Sequence, residues 1–245
     1  MERLERREEV AAIRAAVAAS RRVLDVGGGT GELTRAVAAQ VGHCTTVEPH
    51  ERRVAALRAD DGQEQAARIE VRSGRAEALP FPDGSFDAVI ACWVLPYVDD
   101  LERAVREMAR VCDAGTPGAR VVLIGGTPDN ELVGMLNEAC VPLAGEAHDH
   151  QGYLLGTAAR VLAGLGFTDL ALHRTEAAVH FPETDPEDRV DAAAAVMADF
   201  WYEGHPRVQD MRLALRPVLR RHFARRPHAV GDQGVVLVAS VPGER

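Results

Sequence analysis

The chain has 245 residues, enough for one α/β domain to bury a full core and carry an elaboration. Hydrophobic residues make up 47% and charged residues 27%, values of an ordinary globular protein that exclude wholesale disorder and fibrous repeats. The net charge of −9, with all 28 basic residues being Arg, argues against a sequence-independent grip on nucleic acid phosphates and favours small-molecule or protein partners.

Residues 5–19 read as a helix. The opening MERLERREEV is charged where a secretory signal needs an apolar core, so a cytoplasmic location is expected. Residues 22–26 form an apolar strand, and residues 31–40 carry Leu33 and Val37 at helical spacing, continued by Val41. Strands are expected at 44–47, 69–72, 86–91 and 120–124, with helices at 51–57 and 99–112 between them. In the last of these, Leu101, Val105 and Met108 lie on one stripe. This alternation predicts a parallel sheet covered by helices.

Past residue 126 the rhythm breaks. A helix over 157–165 ends at Gly166 and a strand follows at 168–173, but the last strand arrives only at 235–239. Two helices fill the interval. One opens at the Asp185–Pro186 pair with Val190, Ala194, Met197 and Trp201 on one face; the other opens near Pro206 and bends at Pro217. The expected division is a core of residues 1–126, 157–175 and 234–245, with a substrate-binding helical cap of 127–156 and 176–233. The longest apolar runs, such as those at 121–124 and 235–240, are far shorter than the ~20 residues of a membrane span. Cys44, Cys92, Cys112 and Cys140 contain no C-x-x-C pair and read as reduced small hydrophobes.

The stretch VLDVGGGTGEL, residues 23–33, carries the chemistry. Gly27, Gly29 and Gly31 let the backbone turn sharply and approach a ligand. The spacing is G-x-G-x-G, and Glu32 stands where a dinucleotide fingerprint has its third glycine, so a nicotinamide dinucleotide is disfavoured. Glu48 ends the next strand, 23 positions after Asp25, where a carboxylate can accept both hydroxyls of a ribose. Together these features indicate an adenosine-containing cofactor without a pyrophosphate. The bland alternative is that Asp25 and Glu48 are strand-end carboxylates satisfied by neighbouring amides.

LDVGGGTG, TVEP, SGRAEALPFPDGSFDAVIA, REMARVCDAG and RVVLIGG, with a weaker echo in LAGLGF, together make residues 22–125 resemble a class I S-adenosylmethionine-dependent methyltransferase of the small-metabolite group. The resemblance implies an α/β, Rossmann-like, seven-stranded, mostly parallel sheet with helices on both faces and a reversed final hairpin. It also implies roles. Gly27, Gly28 and Gly29 would pass beneath the methionine part of S-adenosylmethionine, while Asp25 would orient the loop or the cofactor's amino group. Glu48 would hold the ribose, Pro49 would pack on the adenine, and Ala76 with position 75 would border the adenine edge. The family commonly has Asp where this chain has Arg75, and Arg has no acceptor, so Glu77 or a backbone carbonyl would substitute. Cys92, Trp93 and Tyr97 would reach the sulfonium end, with plain core packing as the alternative for the two aromatics.

Methyl transfer is an in-line displacement in which the protein aligns the nucleophile and, for a hydroxyl or amine, removes a proton. Many relatives have a His after the fourth strand, whereas VLPYVDD puts Pro96 and Tyr97 there. Candidate bases are therefore His148, His150 and Tyr153, then His180, Glu203 and His205. His148-Asp149-His150 has no third ligand at useful spacing, so no metal is expected. Met135, Leu136, Met197, Phe200, Trp201, Tyr202 and Met211 suggest an apolar pocket for a small metabolite accepting at O, N or C, with ordinary helix packing as the alternative. Arg212, Arg216 and Arg220 form a basic stripe that suits an acidic carrier domain or a solvated helix face. Two further readings stand beside methyl transfer: the same fold catalysing a non-methylating reaction such as cyclisation, and a non-catalytic binding module.

Overall fold

The computed structural model describes residues 4–59, 69–146 and 151–242. In chain order these form β1 (Leu4–Glu5), α1 (Arg7–Val17), β2 (Val23–Val26), α2 (Glu32–Val41), β3 (Cys44–Glu48), α3 (Glu51–Ala59), β4 (Ile69–Ser73) and β5 (Ala88–Cys92). A 3-10 turn (Leu95–Tyr97), α4 (Leu101–Val111), β6 (Arg120–Gly126), α5 (Glu131–Ala139), α6 (Val141–Ala144), α7 (Gln151–Gly164) and β7 (Asp169–Thr175) follow. The chain closes with β8 (Ala178–His180), α8 (Pro186–Tyr202), α9 (Val208–Phe223), β9 (Ala229–Gly231) and β10 (Gly234–Ser240).

Two compact units result. The sheet unit comprises Glu9–Gly125, Gln151–Arg174 and Val235–Arg245. Its seven strands are ordered β4-β3-β2-β5-β6-β10-β7, with β2 parallel to both β3 and β5. The expected sheet is therefore present, and the late strand β10 sits between β6 and β7. Two-residue periodicity builds both faces: Leu24, Val89, Ala91, Val121 and Leu123 enter one core cluster, while Val23, Ala88, Ile90, Val122 and Ile124 enter the other. The central strands β5 and β6 are buried on both faces along most of their length, which is why they read as near-continuous apolar runs. Asp87 pins the entry of β2 by accepting from the Arg21 and Arg22 amides.

The second unit comprises Met1–Glu8, Gly126–His150 and Thr175–Gly234. Its core packs α5, α8 and α9 around Leu136, Met197, Met211, Leu215 and Phe181. Asp185 caps α8 as expected, accepting from the Glu187 and Asp188 amides with Pro186 in the first turn. Helix α9 runs unbroken through Pro217. A small antiparallel sheet, β1-β8-β9, is also present, where only helices were expected. Strands of two or three residues carry no periodic signal, and β1 pairs with residues far along the chain. Likewise, α7 begins at Gln151 instead of residue 157, so Tyr153 lies on a helix of the sheet unit.

Most of the cap residues expected to line an apolar pocket are consumed by packing: Met135, Leu136, Met197, Tyr202 and Met211 are all buried in this unit's own core. Phe200 and Trp201 retain exposure. The arginine stripe is also committed. Arg212 grips Asp199 through both carboxylate oxygens, Arg216 pairs with Glu187 and Asp191, and Arg220 pairs with Glu187. These pairs join α8 to α9, so little unbalanced positive charge is left there to attract an acidic carrier. Among the described residues, no helix is long and apolar enough to cross a membrane.

Candidate functional site

The glycine turn leaves β2 at Val26. Gly27, Gly29 and Gly31 have φ of 77, 57 and 79°, a left-handed region that L side chains avoid. Two neighbours also forbid a side chain here: a Cβ on Gly27 would lie 2.5 Å from Val94 Cγ2, and one on Gly28 would lie 2.1 Å from Thr46 Oγ1. At Gly29 the nearest atom would be the Gly27 carbonyl oxygen at 3.8 Å, which leaves that side of the turn open for a ligand.

Beneath the turn, Asp25 is buried, and its Oδ2 accepts from the Thr34 hydroxyl of α2 at 2.6 Å. Burial pushes this carboxyl up to about 6, the Thr34 hydroxyl opposing and the nearby Glu48 charge adding. Asp25 thus ties β2 to the first turn of α2, and Thr46 Oγ1 donates to the Asp25 carbonyl from β3.

Glu48 ends β3 with only 1% exposure. Its Oε2 accepts from the Gly29 amide and its Oε1 from the His50 amide, both at 3.1 Å. A buried carboxylate held by two backbone N–H groups is oriented yet keeps lone pairs for further donors. The glycine turn and the acidic strand end, legible separately in the sequence, are here joined by a hydrogen bond. Pro49 follows directly, between Glu48 and the first turn of α3.

At position 75 the structure shows where the charge goes. Arg75 donates to Glu77 Oε1 at 3.3 Å and to Asp99 Oδ2 at 2.6 Å, and Glu77 Oε1 also accepts from the Asp99 amide at 2.7 Å. Burial alone would raise the Glu77 carboxyl, but its own amide, the Asp99 amide and the Arg75 guanidinium together hold it below its ordinary value. Ala76 is buried between them.

The turn after β5 differs from the glycine turn. Cys92 is half-buried at the strand end, and Trp93 follows with φ of 56°, the one non-glycine residue with positive φ among the described residues. An aromatic in this conformation costs about 1–3 kcal/mol and persists only where its surroundings impose it. Here the Trp93 amide donates to the Ile124 carbonyl, and its indole Nε1–H donates to Glu9 Oε2 at 3.0 Å. Tyr97 is 65% exposed, so it is no core aromatic.

Of the candidate bases, His148 and His150 lie outside the described residues. Tyr153 is 68% exposed on α7. In the second unit, His180 and Glu203 are exposed, while His205 Nδ1 accepts from the Arg207 amide at 3.1 Å. Val94 and Glu9 were missed in the sequence. Val94 carried no signal. Glu9 carried only a weak one, since it stands four residues before Ile13 in line with the stripe of Ile13 and Val17 on α1. Burial pushes the Cys112 thiol up to about 12 and Cys140 up to about 11, as inert core thiols require.

Residues 24–117, from β2 to just short of β6, match the family described as a methyltransferase domain. Over these residues the chain is similar to methyltransferase domains. The ubiquinone/menaquinone biosynthesis C-methyltransferase UbiE of Hahella chejuensis is 35% identical over 147 residues, covering 56% of this chain and 58% of the relative. The chain spans about half the length of the curated relatives it matches. The solved structure of YcgJ from Bacillus subtilis shares the fold at a TM-score of 0.62 and 19% identity, covering 98% of this chain and all of that one. The [4+2]-cyclase SpnF shares it at a TM-score of 0.60 and 19% identity, covering 97% of this chain and 81% of the other.

Proposed function

We propose that the protein moves a methyl group from S-adenosylmethionine to O, N or C of a small organic acceptor. The observation that carries this reading is the buried Glu48 carboxylate, held by the Gly29 and His50 amides at the edge of a glycine turn that is open at Gly29. When bound, S-adenosylmethionine supplies an electrophilic methyl group on a positively charged sulfur.

The chain's residues do the rest. Glu48 accepts the two ribose hydroxyls in its remaining lone-pair directions, and Pro49 packs on the adenine. Gly27, Gly28 and Gly29 bring bare backbone against the methionine part, and Asp25 steadies that turn through Thr34. At the adenine edge the acceptor role falls to Glu77, whose carboxylate has capacity beyond the Arg75 and Asp99 donors; Arg75 orients it, and the Ala76 backbone borders the ring. Cys92 ends β5, and Trp93 and Tyr97 follow it on the side where ligands of open α/β sheets bind, so these three would border the sulfonium end. A sulfonium is a good leaving group, so alignment and water exclusion supply most of the acceleration and a strong base is not required. Proton removal, where the acceptor needs it, falls to His148, His150 or Tyr153. Phe200 and Trp201 support an apolar acceptor of natural-product type, and the acidic chain as a whole suits neither nucleic acid nor an anionic membrane surface. A cytoplasmic enzyme fits these features.

Calorimetric titration with S-adenosylhomocysteine tests the reading. Wild type should bind in the micromolar range, and Glu48→Ala should weaken binding at least about a hundredfold, since it removes charge-assisted bonds to two hydroxyls. Equal binding by both proteins, or none by wild type, would overturn the assignment. A second reading, a non-methylating reaction such as cyclisation on the same fold, is favoured by Pro96 and Tyr97 standing where many relatives have His. Release of S-adenosylhomocysteine during turnover separates the two.

A further inference from the structure

We infer that Glu9, a buried carboxylate on α1, is a positioning residue that holds Trp93 and through it fixes the turn after β5 against the glycine turn. The inference rests on the methyltransferase reading above.

Glu9, Ile13 and Val17 are the buried residues of α1, four apart and therefore on one face. Ile13 and Val17 are fully buried hydrophobes, whereas the third position places a carboxylate at 1% exposure. A buried carboxylate needs hydrogen-bond partners, and the indole N–H of Trp93 meets Glu9 Oε2 at 3.0 Å. Trp93 is thereby held from two sides: its amide on the Ile124 carbonyl continues the strand ladder, and its ring is tied to α1. Between these ties the backbone passes through φ of 56° and delivers Val94 onto Gly27, where a Cβ would come within 2.5 Å of Val94 Cγ2. The two residues also enter opposite layers, Trp93 packing against the cluster that contains Ile13 and Ile124, Val94 against the one that contains Val26 and Leu95.

Releasing the indole lets Trp93 relax toward ordinary φ and moves Val94 off Gly27. The consequence falls on the turn that carries the methionine part of the cofactor. Folding itself has little need of the carboxylate, because a Leu of similar size would fill the same stripe without desolvation cost. Stability and cofactor binding should therefore respond in opposite directions.

The experiment uses a Trp201→Phe background, in which Trp93 is the remaining tryptophan of the two in the chain. Glu9→Gln keeps an acceptor for the indole, and Glu9→Leu removes it. The Gln variant should bind S-adenosylhomocysteine like its parent. The Leu variant should keep or raise its Tm, shift the Trp93 emission maximum, and bind about tenfold more weakly, the scale on which small misplacements act. Trp93→Phe, which deletes the N–H but keeps a ring, should weaken binding similarly and serves if Glu9→Leu does not fold. Unchanged binding in both Glu9→Leu and Trp93→Phe, a Gln variant as weak as Leu, or a loss of binding that merely tracks a lowered Tm would overturn the inference alone. A parent that binds no S-adenosylhomocysteine would overturn the methyltransferase reading and this inference with it.

Discussion

Two turns leave the carboxyl ends of adjacent parallel strands, and they reach left-handed backbone by opposite means. The turn after β2 uses Gly27, Gly29 and Gly31, for which positive φ carries no steric penalty. The turn after β5 uses Trp93, for which it does, and holds it with the Ile124 carbonyl and Glu9. A glycine turn is specified locally and announces itself in sequence. A strained aromatic turn is specified by partners far along the chain, and the strand-end residue that makes it looks like any other tryptophan.

The contrast is sharpest at Gly27 and Gly29. Gly27→Ala combines a left-handed φ with a collision against Val94 and should destabilise the fold by about 2–4 kcal/mol, whereas Gly29→Ala meets no close neighbour and should cost about 1 kcal/mol. Chemical denaturation of the two variants measures the difference. Equal costs would mean that Val94 yields freely and that the two turns are not braced against each other.

Asp25 offers a pH handle beneath the glycine turn. Its carboxyl is raised from 3.8 to about 6 by burial, so the folded state holds the proton more tightly than the unfolded chain. The stabilising contribution is complete below about pH 4 and is lost as pH rises through about 6, amounting to roughly 3 kcal/mol across that window. Asp25→Asn should lack this decline, as denaturant titrations at about pH 4 and about pH 7 would show for variant and wild type. Binding carries a second signature: if the Asp25 carboxylate meets the cofactor's amino group, affinity for S-adenosylhomocysteine should strengthen as pH rises through about 6, and a purely loop-orienting Asp25 leaves it flat.

The smallest effect belongs to the second unit, far in kind from either turn. Arg220→Ala breaks an exposed pair with Glu187, which keeps Arg216, and should change stability by less than about 1 kcal/mol. Loss of turnover on a carrier-bound substrate alone, with stability intact, would return the arginine stripe to a recognition role.

Much of the sheet unit was legible because its signals are local. The parallel strands β5 and β6, buried on both faces, read as apolar runs, glycines mark the turn that needs them, and Asp185 with Pro186 marks the start of α8. The second unit was legible only as helices. Strands β1, β8 and β9 are two or three residues long and gain stability through pairing with distant partners, which no window of sequence records. The Met and Leu residues that suggested a pocket proved to be core, because an apolar side chain on a helix has the same spacing whether it faces a ligand or another helix.

The sequence by itself determined the order of the central elements, the glycine turn, the acidic end of β3 and the resemblance that these carry. Only the tertiary structure decided that Glu48 holds the Gly29 amide, that Arg75 is spent on Glu77 and Asp99, and that Glu9 holds Trp93. The reason is physical. Backbone conformation and burial periodicity act over a few neighbouring residues, whereas the partner of a buried polar group is chosen by which distant segments the fold brings within 3 Å or so of it.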